Sequence, residues 1–573
     1  MVTYRRIIST RIAIGLVLTI GALSPAGARA QGFPDYPVIY RPAKDAKDLR
    51  AVLFNWTWYM GMLRGIDEHE LITSLEYQGK GTIQVDGQPC TLTKFRISTN
   101  YQVPGQRIQY TCTRANGQTY SNIEVVNGRY AWDEDIPGAE IIAGKGKATP
   151  RPDAVEDRLI RLWASPQGAP KAAIAGAAPN AQLGANPGTL FQDGVAKAGE
   201  TSLSWEDGRP VVTYPIPGVP GAIATATLNV KYMAERVVVK HGTKTTEFTY
   251  GDYQDWNNPL NKVDALYAGK ISERHNGAVV RDLNTVQTET GSVYVVMPVP
   301  ASVQAAIHAP VQPSPAPKTL EASGETPRMP DGHPDLTGNW NFNAMNWRYG
   351  NRRCSPTQQE GCSRALNQTM DFEFEAPSRF GPNRPLYKPE FWDKLQELDM
   401  WTNKDDPVMT CQPLGNPRQG PPRRIIQSAN DIIFFYTQYA DGGGGNGEYR
   451  IIPTDNRKHD EKKAIEATYY GYTVGKWEGD TLVLDSISFV DTTWLARGGF
   501  FHSDQMHIIE KLTRKGNMIL YEVTVDDPEV LVEPWMMTPR TLTLSTYPDA
   551  GLLPERANCE VYELKDITSQ IRH

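Results

Sequence analysis

The stretch Asp264–Thr290, DALYAGKISERHNGAVVRDLNTVQTET, decides how the first half of this 573-residue chain is read. Two strand-like runs flank Asn276-Gly277, and an Asn-Gly pair between such runs is the signature of a tight hairpin. Working backward, KTTEFTYGDY (Lys244–Tyr253) and RVVVKHG (Arg236–Gly242) repeat the pattern with His241-Gly242 as their turn, and ATATLNVKYM (Ala224–Met233) precedes them. Earlier still, GKGTIQV, LTKFRIS, RIQYTCTR and YSNIEVVNGRYAW read as strands between Gly79 and Trp132. Successive hairpins make an antiparallel meander. One helix precedes it: Leu49, Val52, Leu53, Trp56, Met60 and Leu63 fall on one face, and Phe54, Trp58 and Met62 widen that face. Everything after this helix reads as strand, apart from GAPKAAIAGAAPNAQLGANPG (Gly168–Gly188), expected to be a flexible insertion.

The second half opens on PDLTGNWNFN (Pro334–Asn343), with Gly338-x-Trp340 at the head of a strand, and repeats the spacing in GYTVGKWEGDTLVLDSISF (Gly471–Phe489) at Gly475-x-Trp477. RRIIQSA, DIIFFYTQY, EYRIIPTD, HIIEKLTR, MILYEVTVDD, RTLTLSTY and CEVYELKD supply the rest. About nine strands suffice to close a small antiparallel barrel with a cavity. Asp441–Gly447, DGGGGNG, lacks the following Lys-Ser/Thr and the helix of a phosphate cradle.

The expected organisation is therefore a leader (1–30), a half-barrel domain (31–300), a Pro/Ala-rich, semi-extended linker (301–334) and a barrel domain (335–573). In the leader, Arg5, Arg6 and Arg11 precede an apolar run from Ile12 to Leu23, and Ala28-Arg29-Ala30 offers the small residues of a signal-peptidase site. Cleavage after Ala30 is expected, leaving no transmembrane segment and a periplasmic or secreted protein. Loss of four arginines and no acids takes the formal charge from -6 to -10, which argues against a nucleic-acid partner. The six cysteines are an even number, which in an exported chain permits disulfides. Cys90 and Cys112 lie in neighbouring strand-like segments, Cys354 and Cys362 close a short loop, and Cys411 and Cys559 remain; the connectivity is open.

The long apolar helix, the meander and the closing hairpins TEFTYGDYQDW and KVDALYAGKISERHNGAVVRDL resemble the outer-membrane lipoprotein carrier superfamily over roughly residues 40 to 300. The resemblance implies a half-barrel that cradles acyl chains against its helices. The paired G-x-W segments resemble lipocalins and related barrels, and GKWEGDTLV with HSDQMHIIEK is similar to a group of exported bacterial proteins without a settled reaction. Together these imply a mainly β, α+β protein: an antiparallel half-barrel with a covering helix, then a lipocalin-like antiparallel barrel.

Chemical candidates concentrate in the second half. RGGFFHSDQMHIIEKLTRKGN (Arg497–Asn517) carries His502, Asp504 and His507. Extended, the two histidines point to opposite faces about 16 Å apart; on a helix they are offset by about 140°. Neither geometry makes a shared metal site, and no metal or cofactor is assigned. Alternation places Met506, Ile508, Glu510 and Leu512 on one face and His507, Ile509 and Lys511 on the other. If the first face is inward, Glu510 needs a partner such as Arg450, Arg424 or Arg514; if the second is, His507 is the cavity group. In IIPTDNRKHD, Asp455 either orients His459 or forms an Asx-turn among exposed charges. Asp491, Trp494 and Arg497 lead into the same rim, where Trp494 is a ligand platform or ordinary packing. GNPRQGPPRRIIQ, containing Arg424, is an anion clamp or a solvated loop. No G-x-S-x-G, H-E-x-x-H or P-loop motif is present.

Three functions remain open. The first is binding or carrying a hydrophobic, lipid-like or aromatic molecule or acyl chain, with Trp56, Trp58, Met60, Arg424, Arg450, Trp494, Arg497 and Glu510 as contacts. The second is a hydrolase, lyase or isomerase of hydrophobic substrates using His502 or His507 with Asp455, His459 or Asp504. The third is an envelope scaffold.

Overall fold

The computed structural model describes residues 42–177, 200–256, 266–307, 322–342, 384–437 and 446–547, apart from short breaks within these spans. The leader, Cys354, Cys362, Cys559, Arg497 and the CEVYELKD segment lie outside the described residues. The architecture is the expected one, mainly β with an antiparallel half-barrel followed by an antiparallel barrel.

Helix α1 (Leu49–Tyr59) starts where the Asp48 carboxylate accepts the Ala51 N–H, an N-cap bond. It buries Val52, Leu53, Phe54 and Trp56, each contributing about 1.5–3 kcal/mol of apolar burial. After a small ribbon of β1 (Leu63–Arg64) and β2 (Asp67–Glu70) come β3 (Ser74–Val85), β4 (Gln88–Asn100), β5 (Gly105–Thr113), β6 (Thr119–Asn127), β7 (Tyr130–Glu134) and β8 (Ala148–Pro150). The return meander is β9 (Ser202–Glu206), β10 (Arg209–Pro215), β11 (Ile223–Leu228), β12 (Ala234–His241), β13 (Lys244–Asp255), β14 (Leu266–His275) and β15 (Ala278–Thr290). The order β8-β7-β6-β5-β4-β3-β15-β14-β13-β12-β11-β10-β9 puts the first and last long strands side by side at the centre of one sheet. Gly81 makes that join possible: at φ 142° a Cβ there would lie 2.0 Å from the Asp282 carbonyl oxygen. Cys90 on β4 and Cys112 on β5 form a disulfide, which settles one pairing the sequence left open, and Cys411 is disulfide-bonded too.

Two helices between β8 and β9 correct the all-strand expectation. Helix α2 (Val155–Ala164) buries Leu159, Ile160, Leu162 and Trp163. Helix α3 (Gly168–Ala175) occupies the start of the expected flexible insertion and is buried along almost its whole length. Its alanines allow close packing, and Lys171 sits in the core by donating to the Ile72 carbonyl at 2.7 Å with its ammonium 4.8 Å from the Tyr101 ring centroid. The weak periodicity of a Gly/Ala/Pro run thus concealed a helix whose small residues suit a tight interior.

A short helix α4 (Ala301–Ala306) follows, and Val303 is fully buried with Val295, Met297 and Trp132. Arg328 makes a two-pronged ion pair with Asp480 at 2.8 Å. The described ends of the expected linker are therefore each anchored at one point, on the first half by buried Val303 and on the second by the exposed Arg328–Asp480 pair.

The second half contains β16 (Gly338–Phe342), helix α5 (Trp392–Met400), β17 (Arg424–Gln427), β18 (Asp431–Thr437), β19 (Asn446–Pro453), β20 (Tyr472–Glu478), β21 (Thr481–Ile487), β22 (His507–Lys515), β23 (Met518–Asp526), β24 (Trp535–Met536) and β25 (Arg540–Leu544). The order β19-β18-β17-β16-β25-β23-β22-β21-β20, with β24 on β23, almost closes on itself. At the seam Arg450 of β19 donates to Thr473 Oγ1 of β20 at 2.8 Å. Gly475, from the second G-x-W, permits the approach, since a Cβ there would stand 3.1 Å from the Pro453 carbonyl oxygen. Trp340, from the first, is 1% exposed and donates its indole N–H to the Leu336 carbonyl. The barrel joins the sheet through α5: the Arg107 guanidinium lies 4.8 Å from the Trp392 ring centroid, and Arg96 bonds Asp393 at 2.8 Å.

Candidate functional site

The half-barrel holds a narrow, partly open cleft that offers about 30 Å³ to the centres of water-sized spheres. Alternation along the strands builds its walls, because residues two apart share a face: Leu75 and Tyr77 on β3, Ile97 and Thr99 on β4, Phe248 and Tyr250 on β13, Ile271 and Glu273 on β14. Tyr101, Tyr267 and the α2–α3 corner at Ser165-Pro166 complete an aromatic enclosure. Tyr77 and Tyr267 stand 4.8 Å apart, centroid to centroid, and burial pushes the Tyr77 phenol up to about 12. These hydroxyls stay neutral in ordinary buffers.

One end of the cleft is charged but internally balanced. Arg161 of α2 contacts Glu273 at 3.2 Å and Glu124 at 3.4 Å. Arg281 of β15 contacts Glu124 at 3.0 Å and Glu273 at 3.6 Å. Burial alone would raise the Glu273 pKa, but Arg161 and Arg281 overcome it and hold it below the ordinary value. Two cleft-lining side chains each carry a sealed polar atom without a partner among the described residues. Gln106 is 4% exposed, and its Nε2 donates to Thr99 Oγ1 at 3.2 Å while Oε1 has no partner among the described residues; Arg281 Nη1 likewise has none. Leaving such a group buried and unmatched costs about 1–3 kcal/mol.

The expected ligand contacts are distributed differently. Trp56 and Met60 are fully buried in the core of the first half, Trp58 packs at its margin, and none of them lines the cleft. Trp494 is packed in the barrel core, and Arg424 is half-buried on β17.

Glu510 and Arg450 do meet, inside the barrel. Strand β22 turns Ile508, Glu510 and Leu512 inward and leaves His507 half-buried outside. The fully buried Glu510 carboxylate takes Arg450 Nη1 at 2.8 Å, Tyr521 OH at 2.7 Å and Asn416 Nδ2 at 3.0 Å. Arg450 also donates to Tyr436 OH and Ser486 Oγ. Every arm of the pair is matched, and Ile452, Leu482, Leu484, Ile508, Leu512 and Val525 fill the surroundings. This is a closed structural network, and the apolar cleft lies in the other half.

The acid–base candidates separate. His502 is 3% exposed; its Nδ1 faces the Ser503 carbonyl at 2.8 Å and must donate, so in the neutral ring Nε2 accepts from Thr493 Oγ1 at 2.8 Å. Burial lowers its pKa. Asp504 is exposed and bonds Gln505. Asp455 serves Arg457, including the Arg457 N–H of an Asx-turn, and His459 Nε2 instead meets the Tyr472 and Asp485 carbonyls at 3.1 Å. His507 Nε2 bonds Asp485 Oδ1 at 2.9 Å on the barrel's outer wall; the bond raises His507 and lowers Asp485. No three of these groups converge as a metal site among the described residues.

Sequence reasoning passed over Tyr77, Tyr101, Gln106, Arg161, Tyr250, Tyr267, Glu273 and Arg281. The one available signal was helical spacing at Val155, Leu159 and Leu162 with Arg158 and Arg161 between. Compared with protein-family models and with curated proteins, the chain matches none.

Proposed function

We propose that this is an exported protein that binds one hydrophobic small molecule or acyl chain in the half-barrel cleft. The observation that carries the reading is the aromatic cleft of the half-barrel. Concave, mostly apolar sites with a few placed polar groups are how proteins hold such molecules. Export is supported by the apolar leader and by the Cys90–Cys112 disulfide, a bond that persists in oxidising compartments. The resemblance to lipoprotein carriers points the same way.

Native mass spectrometry of gently purified protein, with titration of the neutral fluorophore N-phenyl-1-naphthylamine, tests this. An adduct, or saturable fluorescence enhancement that a large side chain at the cleft (Ile97→Trp) suppresses, is expected. A clean apo mass together with no saturable enhancement refutes it.

One observation favours a second reading. Asp485 holds His507 by Nε2, leaving Nδ1 to accept a proton as a general base would. An enzyme of this kind loses turnover of a substrate found by metabolite screening in His507→Ala while keeping its fold; unchanged turnover removes it.

A further inference from the structure

We infer that the chain beyond Tyr547, residues 548–573, folds back over an apolar strip on the outer wall of the barrel. The inference is independent of the cleft in the other half.

The strip follows from alternation in β18 and β19. Ile432, Phe434 and Tyr436 point into the barrel and are at most 1% exposed, so Ile433 and Phe435 point outward. Opposite them on β19 stand Ile451 and Tyr449, 61% and 59% exposed, and opposite Ile433 on β17 stands the half-buried Ile426. Two neighbouring rows result, Ile426–Ile433–Ile451 and Arg424–Phe435–Tyr449. An outward face of an antiparallel sheet is ordinarily polar. The barrel keeps that rule elsewhere, since the row Lys476–Val483–Lys511–Glu522 across β20 to β23 is mainly charged. The strip on β17 to β19 departs from it.

Size and position name the occupant. With strands about 4.8 Å apart and residues about 3.3 Å apart along them, the strip covers on the order of 200 Å². A stable complex of two chains needs roughly 800 Å² from each partner. A segment tethered to the same barrel needs less, because its local concentration is already about millimolar. The chain leaves the barrel beside the strip: Ser545 donates its N–H to the Asn339 carbonyl at 2.8 Å, and Asn339 pairs with Arg424. Ser545, Asn339, Arg424, Phe435 and Tyr449 thus form one row across five strands, about 19 Å long. Tyr547 is 77% exposed, and Leu552 and Leu553 follow it by five and six residues, a reach of about 17–20 Å when extended. The leucine pair is the first apolar anchor beyond Tyr547, and it arrives where the strip is most exposed.

The test places the photoreactive residue p-benzoylphenylalanine at position 552 of the full chain and maps the adducts by mass spectrometry after irradiation. An adduct within one chain, to peptides holding Ile433 and Phe435 or Tyr449 and Ile451, is expected. Ile451→Glu should cut that adduct by about fivefold or more, because a carboxylate covered by an apolar segment loses its hydration. Tyr449→Glu, at an equally exposed position, serves if the first variant does not fold. No intrachain adduct, or adducts confined to other parts of the chain, overturns the inference. Adducts that join two chains overturn it as well, since a second copy would then take the strip. An intrachain adduct on the strip that both glutamate variants leave unchanged also overturns it, because tethering alone would then explain the contact.

Discussion

Replacing Glu510 by alanine should be among the most destabilising single changes in the barrel. The carboxylate is fully buried and accepts from Arg450, Tyr521 and Asn416 at 2.7–3.0 Å. Burial works against the Arg450 charge, yet Glu510 and Tyr436 outweigh it and hold the guanidinium pKa above its ordinary value. Removing Glu510 leaves that cation with only the Tyr436, Thr473 and Ser486 hydroxyls. Breaking one side of a buried pair costs about 3–5 kcal/mol. The double change Glu510→Leu with Arg450→Met removes both charges and should cost much less, because desolvation is no longer paid by either ion. Guanidinium denaturation measures this, with the barrel transition followed separately by hydrogen exchange on β22 and β23, since two-domain chains need not unfold in one step. A Glu510→Ala barrel as stable as wild type, or a double variant worse than either single one, would refute the account of the network as a self-matched structural element.

Two histidines five positions apart should respond to pH with opposite sign. His507 is raised by Asp485, so its contribution is complete below its ordinary value of 6.5 and fades as pH climbs through the higher folded value. Asp485 is lowered, so its share is present above 3.8 and fades as pH falls through the lower folded value. The stability difference between wild type and His507→Ala should therefore peak between those limits and vanish in alkali; a flat difference across pH-dependent melting would remove the ion pair from the account. His502 is lowered by burial, so its contribution is present above 6.5 and lost as pH falls, and its NMR titration should lie below that of His507. Cys90 and Cys112 close a loop with a sequence separation of 22, so Cys90→Ser with Cys112→Ser should lower half-barrel stability by about 3 kcal/mol in the chain-entropy view; an unchanged denaturation midpoint would contradict it. Trp392→Ala withdraws the ring from Arg107, about 0.5–2 kcal/mol, and should speed hydrogen exchange in β4 and β5, whereas unaltered exchange would show that α5 does not secure the two halves.

Local periodicity made much of the fold legible. Alternation gave the strands, Asn276-Gly277 and His241-Gly242 marked real turns between β14 and β15 and between β12 and β13, and alternation in β22 set Glu510 and His507 on opposite faces, of which the fold buries the one with Glu510. These are properties of neighbours in the chain, and sequence displays neighbours directly. Helix α2 was legible by the same rule and was overlooked among strands, whereas α3 was not, because glycine, alanine and proline carry almost no periodic signal.

Sequence by itself determined a mainly β chain in two halves, an apolar N-terminal run, and Glu510 and His507 on opposite faces of one strand. Only the tertiary structure turned Glu510 inward and chose Arg450 as its cation, gave His507 to Asp485 rather than to His502 or Asp504, and gathered Leu75, Gln106, Arg161, Tyr250 and Arg281 around one cleft. The physical reason is that strand pairing fixes which distant residues share a face, as β3 against β15 shows, and hydrophobic burial selects that pairing for the sheet as a whole, with no mark on any single stretch of chain.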